Sequence, residues 1–350
     1  KKHWEEHYAL SLELFDLAAR CAHTNGDVIS LNLLSQQVLT KSQSFEDKLN
    51  VMYYAMCVLA SSSNLPESIE RGLKILSRLG IDLHGCESGS VEACVQETKD
   101  LLSGYSDDEI LNTERMTDPT KIMAMKFLGK IIGGMNQIMP ASSPHVTQRI
   151  IQLSLLHGMS PVSPIGFAHL GSYTAKLGDI SEGYHYVKLA RSLVDKVGSR
   201  ESAGGVICIA SPVRSYVEPL QATFEYHNEG YAAAMESGDI LQAALNILVR
   251  DGVFLFAGVN LQTTQEKIAE TANFMYERKM MISMIVNKCL QQSVLKLIGT
   301  DEKPQDFSAE EVSILARNNS VVRSYNFHKA YMSFMFRLHD DSKHYTEKYL

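Results

Sequence analysis

The sequence predicts an all-α fold, an α-solenoid of irregular αα-hairpins, on three observations. Apolar residues recur at helical spacing through most of the 350 residues. Glycine-aspartate turns punctuate them at Gly26-Asp27, Gly178-Asp179 and Gly238-Asp239. No alternating β-branched run of useful length is present.

Residues 168–196 set the pattern. One helix ends at Leu177, and a second carries Ile180, Tyr184, Val187, Ala190 and Val194 on one side. Gly178 suits a left-handed C-cap because it has no Cβ to clash. Asp179 is placed to cap the second helix, and Glu182 three residues on predicts a capping box. The turns at 178 and 238 lie 60 residues apart. Two tetratricopeptide repeats would take about 68 residues, so the hairpins read as tetratricopeptide-like but irregular.

Taken in order, residues 1–81 read as N-terminal helical hairpins. A helix over 5–23 carries two apolar stripes. Tyr8, Leu12, Phe15, Ala19 and Ala22 form one; Leu10, Leu14, Leu17 and Cys21 form the other. Two stripes predict cover on both sides. Val28–Thr40 is the partner helix. Phe45–Ala60 and Ser68–Leu79 make a second hairpin, with Pro66 in its turn and Gly80 ending it.

Residues 82–119 read as a connector, because Gly85, Gly89 and Gly104 interrupt the pattern and Asp107-Asp108-Glu109 follows. One short helix is expected at Val91–Leu102. Residues 120–260 form the central hairpins. Thr117-Asp118-Pro119 starts a helix over Lys121–Met139, weakened near its end by Gly133-Gly134. His145–His157 ends at Gly158. A short helix over Ser202–Ala210 precedes Pro212, and Ala222–Glu236 pairs with Leu241–Phe256. Residues 261–350 predict a long C-terminal helical pair, roughly 261–298 and 308–338, split by Gly299 to Pro304.

Composition narrows the function classes. Apolar residues make up 45% and charged residues 21%, as in an ordinary globular chain. A net charge of -7 offers no basic face for nucleic acid. The most apolar stretch, Leu241–Val259, holds Arg250 and Asp251 at its middle, so no membrane span is expected. The six cysteines form no CxxC pair and read as reduced thiols of a cytoplasmic protein. The opening Lys1-Lys2-His3-Trp4, with no methionine, and the abrupt end at Leu350 predict a segment of a longer polypeptide.

Catalytic and metal signals are absent from the motifs. There is no phosphate loop, because Gly129-Lys130 is followed by Ile131. His3 with His7, and His339 with His344, lack the third and fourth ligands a metal needs. Cys86 and Cys94 read as free thiols. No catalytic, cofactor-binding or metal residue is therefore assigned. Two groups invite a binding role. Met275, Met280, Met281, Met284, Met332 and Met335, with Phe274, Tyr276, Phe327, Tyr331, Phe334 and Phe336, give the C-terminal pair a Met/aromatic character. That suits a core, or an adaptable docking surface. Tyr173, Tyr184, Tyr186, Tyr226 and Tyr231 would suit a ligand in a solenoid hollow.

Several phrases resemble a known family. They are Tyr8 to Leu14, Leu73 to Leu83, Met116-Thr-Asp-Pro119 with Ala124-Met125, Gln152 to Pro161, and Leu177 to Tyr184 with Lys188-Leu-Ala190. In order and spacing, from about residue 8 to 258, they are similar to the tetratricopeptide-like helical region of large signalling fusions. Those fusions join a serine/threonine-kinase-like domain, a STAND/AAA-type ATPase, this region, GAF sensors and often a histidine kinase. The family tends to show a tryptophan before Glu218-Pro219-Leu220, where this chain has Ser215-Tyr216-Val217. The resemblance implies ATP in the parent chain and no cofactor in this segment. It implies a non-catalytic regulatory scaffold that binds a protein partner or the neighbouring domains. A small-molecule-sensing domain, or an oligomerisation module acting through residues 261–350, is the alternative.

Overall fold

The chain is all-α. In the computed structural model, residues 2–61, 64–83, 90–198, 200–299 and 306–349 are described. Among them stand nineteen α-helices, and the one extended pairing is an isolated bridge between Arg115 and Met159. The chain divides into two units. The first holds residues 1–213 with 237–239, and the second holds 214–236 with 240–350.

In the first unit the expected helix over 5–23 is two helices, α1 (Lys2–Glu6) and α2 (Tyr8–Thr24), because His7 leaves helical backbone at φ −138°. α3 (Val28–Lys41) returns after Gly26, whose φ is +71°. The Asp27 amide reaches back to the Ala22 carbonyl at 2.9 Å, the six-to-one bond of a Schellman turn. The Asp27 carboxylate then accepts the Ser30 amide at 3.0 Å and caps α3. α4 (Leu49–Ser61) follows a short 3₁₀ turn, and α5 (Leu65–Arg78) begins at Leu65 rather than Ser68. The earlier start has a physical reason. Pro66 fits the first turn, where its missing N–H leaves no bond unmade.

The connector holds more structure than expected. α6 (Val91–Leu102) forms as predicted, capped by Ser90. The acidic run after it is α7 (Asp107–Leu111), where Ser106 and Glu109 close a capping box. Acids belong at that end, since they meet the positive pole of the helix dipole. Gly85, Cys86 and Gly89 lie outside the described residues.

α8 (Pro119–Ile138) is capped by Asp118, which accepts the Thr120 and Lys121 amides at 2.8 and 3.2 Å. It runs straight through Gly133-Gly134. α9 (Ser143–His157), α10 (Ser163–Lys176) and α11 (Ile180–Val197) follow. The α10–α11 turn repeats the device of the first hairpin. Gly178 has φ +108°, and the Asp179 amide bonds the Thr174 carbonyl at 3.2 Å. Asp179 accepts the Glu182 amide at 2.9 Å, which is half of the expected capping box. The Glu182 side chain instead pairs with Lys99 and accepts the Tyr186 hydroxyl. α12 (Ala203–Arg214) outruns the expected end at Ala210, carrying Pro212 within its last turn.

The main core of this unit lies where α4, α5, α8 and α9 converge, around Met56, Leu76, Phe127, Ile131 and Ile150. Each such side chain contributes about 1.5–3 kcal/mol on full burial. A smaller core joins Trp4, Ala19, Leu31, Val38 and Val51.

In the second unit, α13 (Thr223–Ser237) and α14 (Ile240–Phe256) match expectation to within a residue or two. The expected C-terminal pair of long helices does not form. Residues 261–298 are a hairpin, α15 (Leu261–Glu277) and α16 (Met281–Ile298). Residues 308–349 give α17 (Ala309–Leu315), α18 (Asn319–Met335) and α19 (His339–Tyr349). The breaks fall at Lys279, between Ala316 and Asn318, and at Arg337; Lys279 and Arg337 take left-handed φ values of 55° and 59° without being glycine. The core is built from Ile268, Leu290 and Val294, with Ala244, Leu248 and Met275 beside it.

Candidate interaction surfaces

The histidines flagged in the sequence do not converge. The His3 ring stacks on Phe15 at 6.2 Å, His7 is the break between α1 and α2, and His344 packs edge-on against Tyr345. Among the described residues no three histidine, cysteine or acidic side chains are grouped to hold a metal ion. Cys94 is buried, and Cys86 lies outside the described residues.

Each of the five tyrosines meets partners within its own unit. In the first unit, Tyr173 is buried, donates to Asn136 Oδ1 at 2.6 Å and lies 2.9 Å from Ser143 Oγ. Tyr184 packs beside Val187 and under the Lys188 ammonium, 4.9 Å above its ring. Tyr186 donates to Glu182, and burial pushes its phenol well above the ordinary value. In the second unit, the Arg214 guanidinium lies 3.6 Å over the Tyr226 ring, and Tyr231 meets Phe274 edge-on at 5.9 Å.

The structure brings together polar groups that no sequence motif announced. His169 is buried in the first unit, stacked on Tyr173, and its Nδ1 faces the Asn136 amide at 3.3 Å. Burial, helped by the Lys176 charge, pulls its pKa down to about 3. In the second unit His227 Nδ1 meets Asn246 Oδ1 at 3.1 Å. Asp251 is fully inaccessible there; Arg250 donates Nε and Nη2 to one oxygen and Thr271 donates its hydroxyl to the other.

One pair mimics a nucleophile and base. Ser293 Oγ lies 3.2 Å from His328 Nδ1. The serine proton is already given to the Cys289 carbonyl at 3.1 Å, and burial lowers His328 to about 4. A ring so reluctant to take a proton is a poor general base at neutral pH. The pair ties α16 to α18.

The exposed apolar side chains are the features the core does not absorb. The second stripe of α2 was expected to be covered, and it is not. Leu10, Leu14 and Leu17 are all more than half exposed, and Ile29 and Leu33 of α3 are more exposed still. The first stripe, with Ala19 and Ala22, takes all the cover that α3 and α4 supply.

The Met/aromatic set divides between core and surface. Met275 and Met332 are buried, and Met280, Met284 and Phe274 pack against the core. At the end of α18, Phe334, Met335, Phe336 and Leu338 are exposed. The Lys296 ammonium sits 4.7 Å over the Phe336 ring, leaving the rest of this patch to solvent. No helix among the described residues is long and apolar enough to cross a membrane.

No family model matches the chain, and no curated protein aligns with it.

Proposed function

We propose that this chain is a non-catalytic, tetratricopeptide-like interaction scaffold within a larger intracellular signalling protein. It holds a protein partner or a neighbouring domain and couples that contact to an ATPase or kinase switch. The observation that carries this reading is the patch of Phe334, Met335, Phe336 and Leu338 at the tip of the α18–α19 hairpin. Flexible methionine beside aromatic rings makes a surface that adapts to the apolar face of another protein. The partnered state of Tyr173, Tyr184, Tyr186, Tyr226 and Tyr231 favours a protein over a small ligand as the binding target.

The test mixes the purified chain with the purified ATPase module that the family resemblance places in the same polypeptide, and reads binding by calorimetry. Binding that falls at least tenfold in a Phe334→Ser/Phe336→Ser variant supports the reading. ATP hydrolysis by the chain alone, abolished by alanine changes within it, would overturn it.

A further inference from the structure

The outer face of the α2–α3 hairpin is apolar. Leu10, Leu14 and Leu17 are 56, 55 and 54% exposed, and Cys21 continues their row. At 100° per residue the row stands roughly 140° around α2 from the buried Ala19 and Ala22. On α3, Ile29 and Leu33 are 76 and 62% exposed, opposite the buried Leu31 and Val38.

Three features point to the occupant. The first is spacing. Positions 10, 14, 17 and 21 alternate steps of four and three, the seam that interdigitates with a helix of the same spacing. The second is charge. The outward side chains of α3, Asn32, Gln36, Gln37 and Thr40, are all neutral, as the centre of an interface requires. Along α2 the row is flanked by Glu13 and Arg20, opposite in sign and seven residues apart across its middle. Two such helices packed antiparallel set Glu13 against Arg20 of the partner subunit, twice over. A parallel pair would form neither contact, because position 13 would face Ala18 of the partner subunit. The third is area. Five aliphatic side chains at these exposures, from each of two copies, remove on the order of 1,000 Å² from water, the threshold for a specific interface.

We propose that a second copy of this chain covers this face, with α2 against α2 antiparallel about a two-fold axis. The interface is isologous, so the same patch serves both sides. This places self-association at the N-terminal hairpin rather than at residues 261–350.

Sedimentation equilibrium of the 350-residue chain tests it, over protein concentrations from about 1 to 100 µM. A monomer–dimer equilibrium is expected in that range. Leu14→Asp should weaken it at least tenfold, with the helical circular dichroism unchanged because Leu14 supports no core. Glu13→Arg and Arg20→Glu should each weaken it several-fold, and the two together should restore wild-type association. A chain monomeric throughout would overturn the proposal. So would a dimer indifferent to Leu14→Asp but broken by Phe334→Ser/Phe336→Ser, or a double swap no better than either single change.

Discussion

Gly171 of α10 and Gly183 of α11 face each other so closely that a Cβ on either would stand 2.6 Å from the other's carbonyl oxygen. That distance is backbone to backbone, so no rotamer change can relieve it. The two helices therefore pack with nothing between their main chains at this crossing.

Alanine at either position should destabilise the first unit by about 2 kcal/mol. Overpacking costs ~1–3 kcal/mol, and the helix propensity regained by removing glycine offsets up to ~1 kcal/mol of that. The double variant should cost less than the sum, because both methyls force the same helix displacement. Gly133→Ala in α8 is the control. Nothing lies within 4 Å of its Cβ position, so it should stabilise by roughly 0.5–1 kcal/mol. Urea midpoints at constant m-value check all three; equal midpoints for G171A, G183A and wild type would refute the close crossing.

The left-handed residue at Lys279 explains why the helix expected over 261–298 is two helices, and Arg337 ends α18 by the same turn. The Met280 amide bonds the Met275 carbonyl at 3.0 Å, and the Leu338 amide bonds Ser333 at 2.8 Å. These are the turns made at Gly26 and Gly178, built without glycine. Where glycine marked the turn, as at Gly178-Asp179, the hairpin was legible in sequence to within a residue. Glu277-Arg278-Lys279 are all good helix formers, and tertiary packing overrode that preference. A non-glycine residue in this region costs about 1–2 kcal/mol. Lys279→Gly and Arg337→Gly should each stabilise the second unit by ~0.5–1 kcal/mol, after allowing for glycine's greater freedom when unfolded. Thermal melts that fall rather than rise would contradict the turn assignment.

His169 should make the first unit acid-sensitive. The Asn136 amide donates to Nδ1, so protonating that nitrogen sets two donors against each other. Its pKa lies near 3 when folded, against an ordinary 6.5. The unfolded chain then binds the extra proton between those values. The stability this imidazole contributes is complete above pH 6.5 and is lost as pH falls towards 3. The slope is up to about 1.4 kcal/mol per pH unit for one proton. His169→Gln removes the titrating group and should flatten that slope. Identical slopes for the variant and wild type between pH 6.5 and 4 would rule His169 out as the source.

The candidate surfaces were less legible than the hairpins, for a reason visible in α2. Helical spacing identified both of its stripes, but which stripe is covered depends on where α3 and α4 lie, and that is not local information. Asp251 shows the same limit. In sequence it was only a charge within an apolar stretch, next to Arg250; its bond to Thr271 spans twenty residues.

Asp251 should titrate in the opposite sense to His169. Burial raises its carboxyl above the ordinary 3.8, opposed chiefly by the Arg250 charge and the Thr271 hydroxyl. A raised acid holds its proton longer when folded. Its contribution is therefore complete at low pH and is lost as pH rises through the folded value. Arg250 limits that loss by pairing with the carboxylate at 2.8 Å. Arg250→Met removes the pairing, so the second unit should lose stability more steeply than wild type as pH rises from about 4 to 7. Asp251→Ala leaves the Arg250 guanidinium and the Thr271 hydroxyl without this acceptor, and should cost about 3–5 kcal/mol at neutral pH. Thr271→Val alone should cost less, about 1–3 kcal/mol, since one oxygen keeps its arginine. The double variant Asp251→Ala/Thr271→Val should then fall short of the sum by the energy of their bond. Strict additivity in that cycle, read from urea denaturation, would show that the 2.6 Å contact contributes nothing.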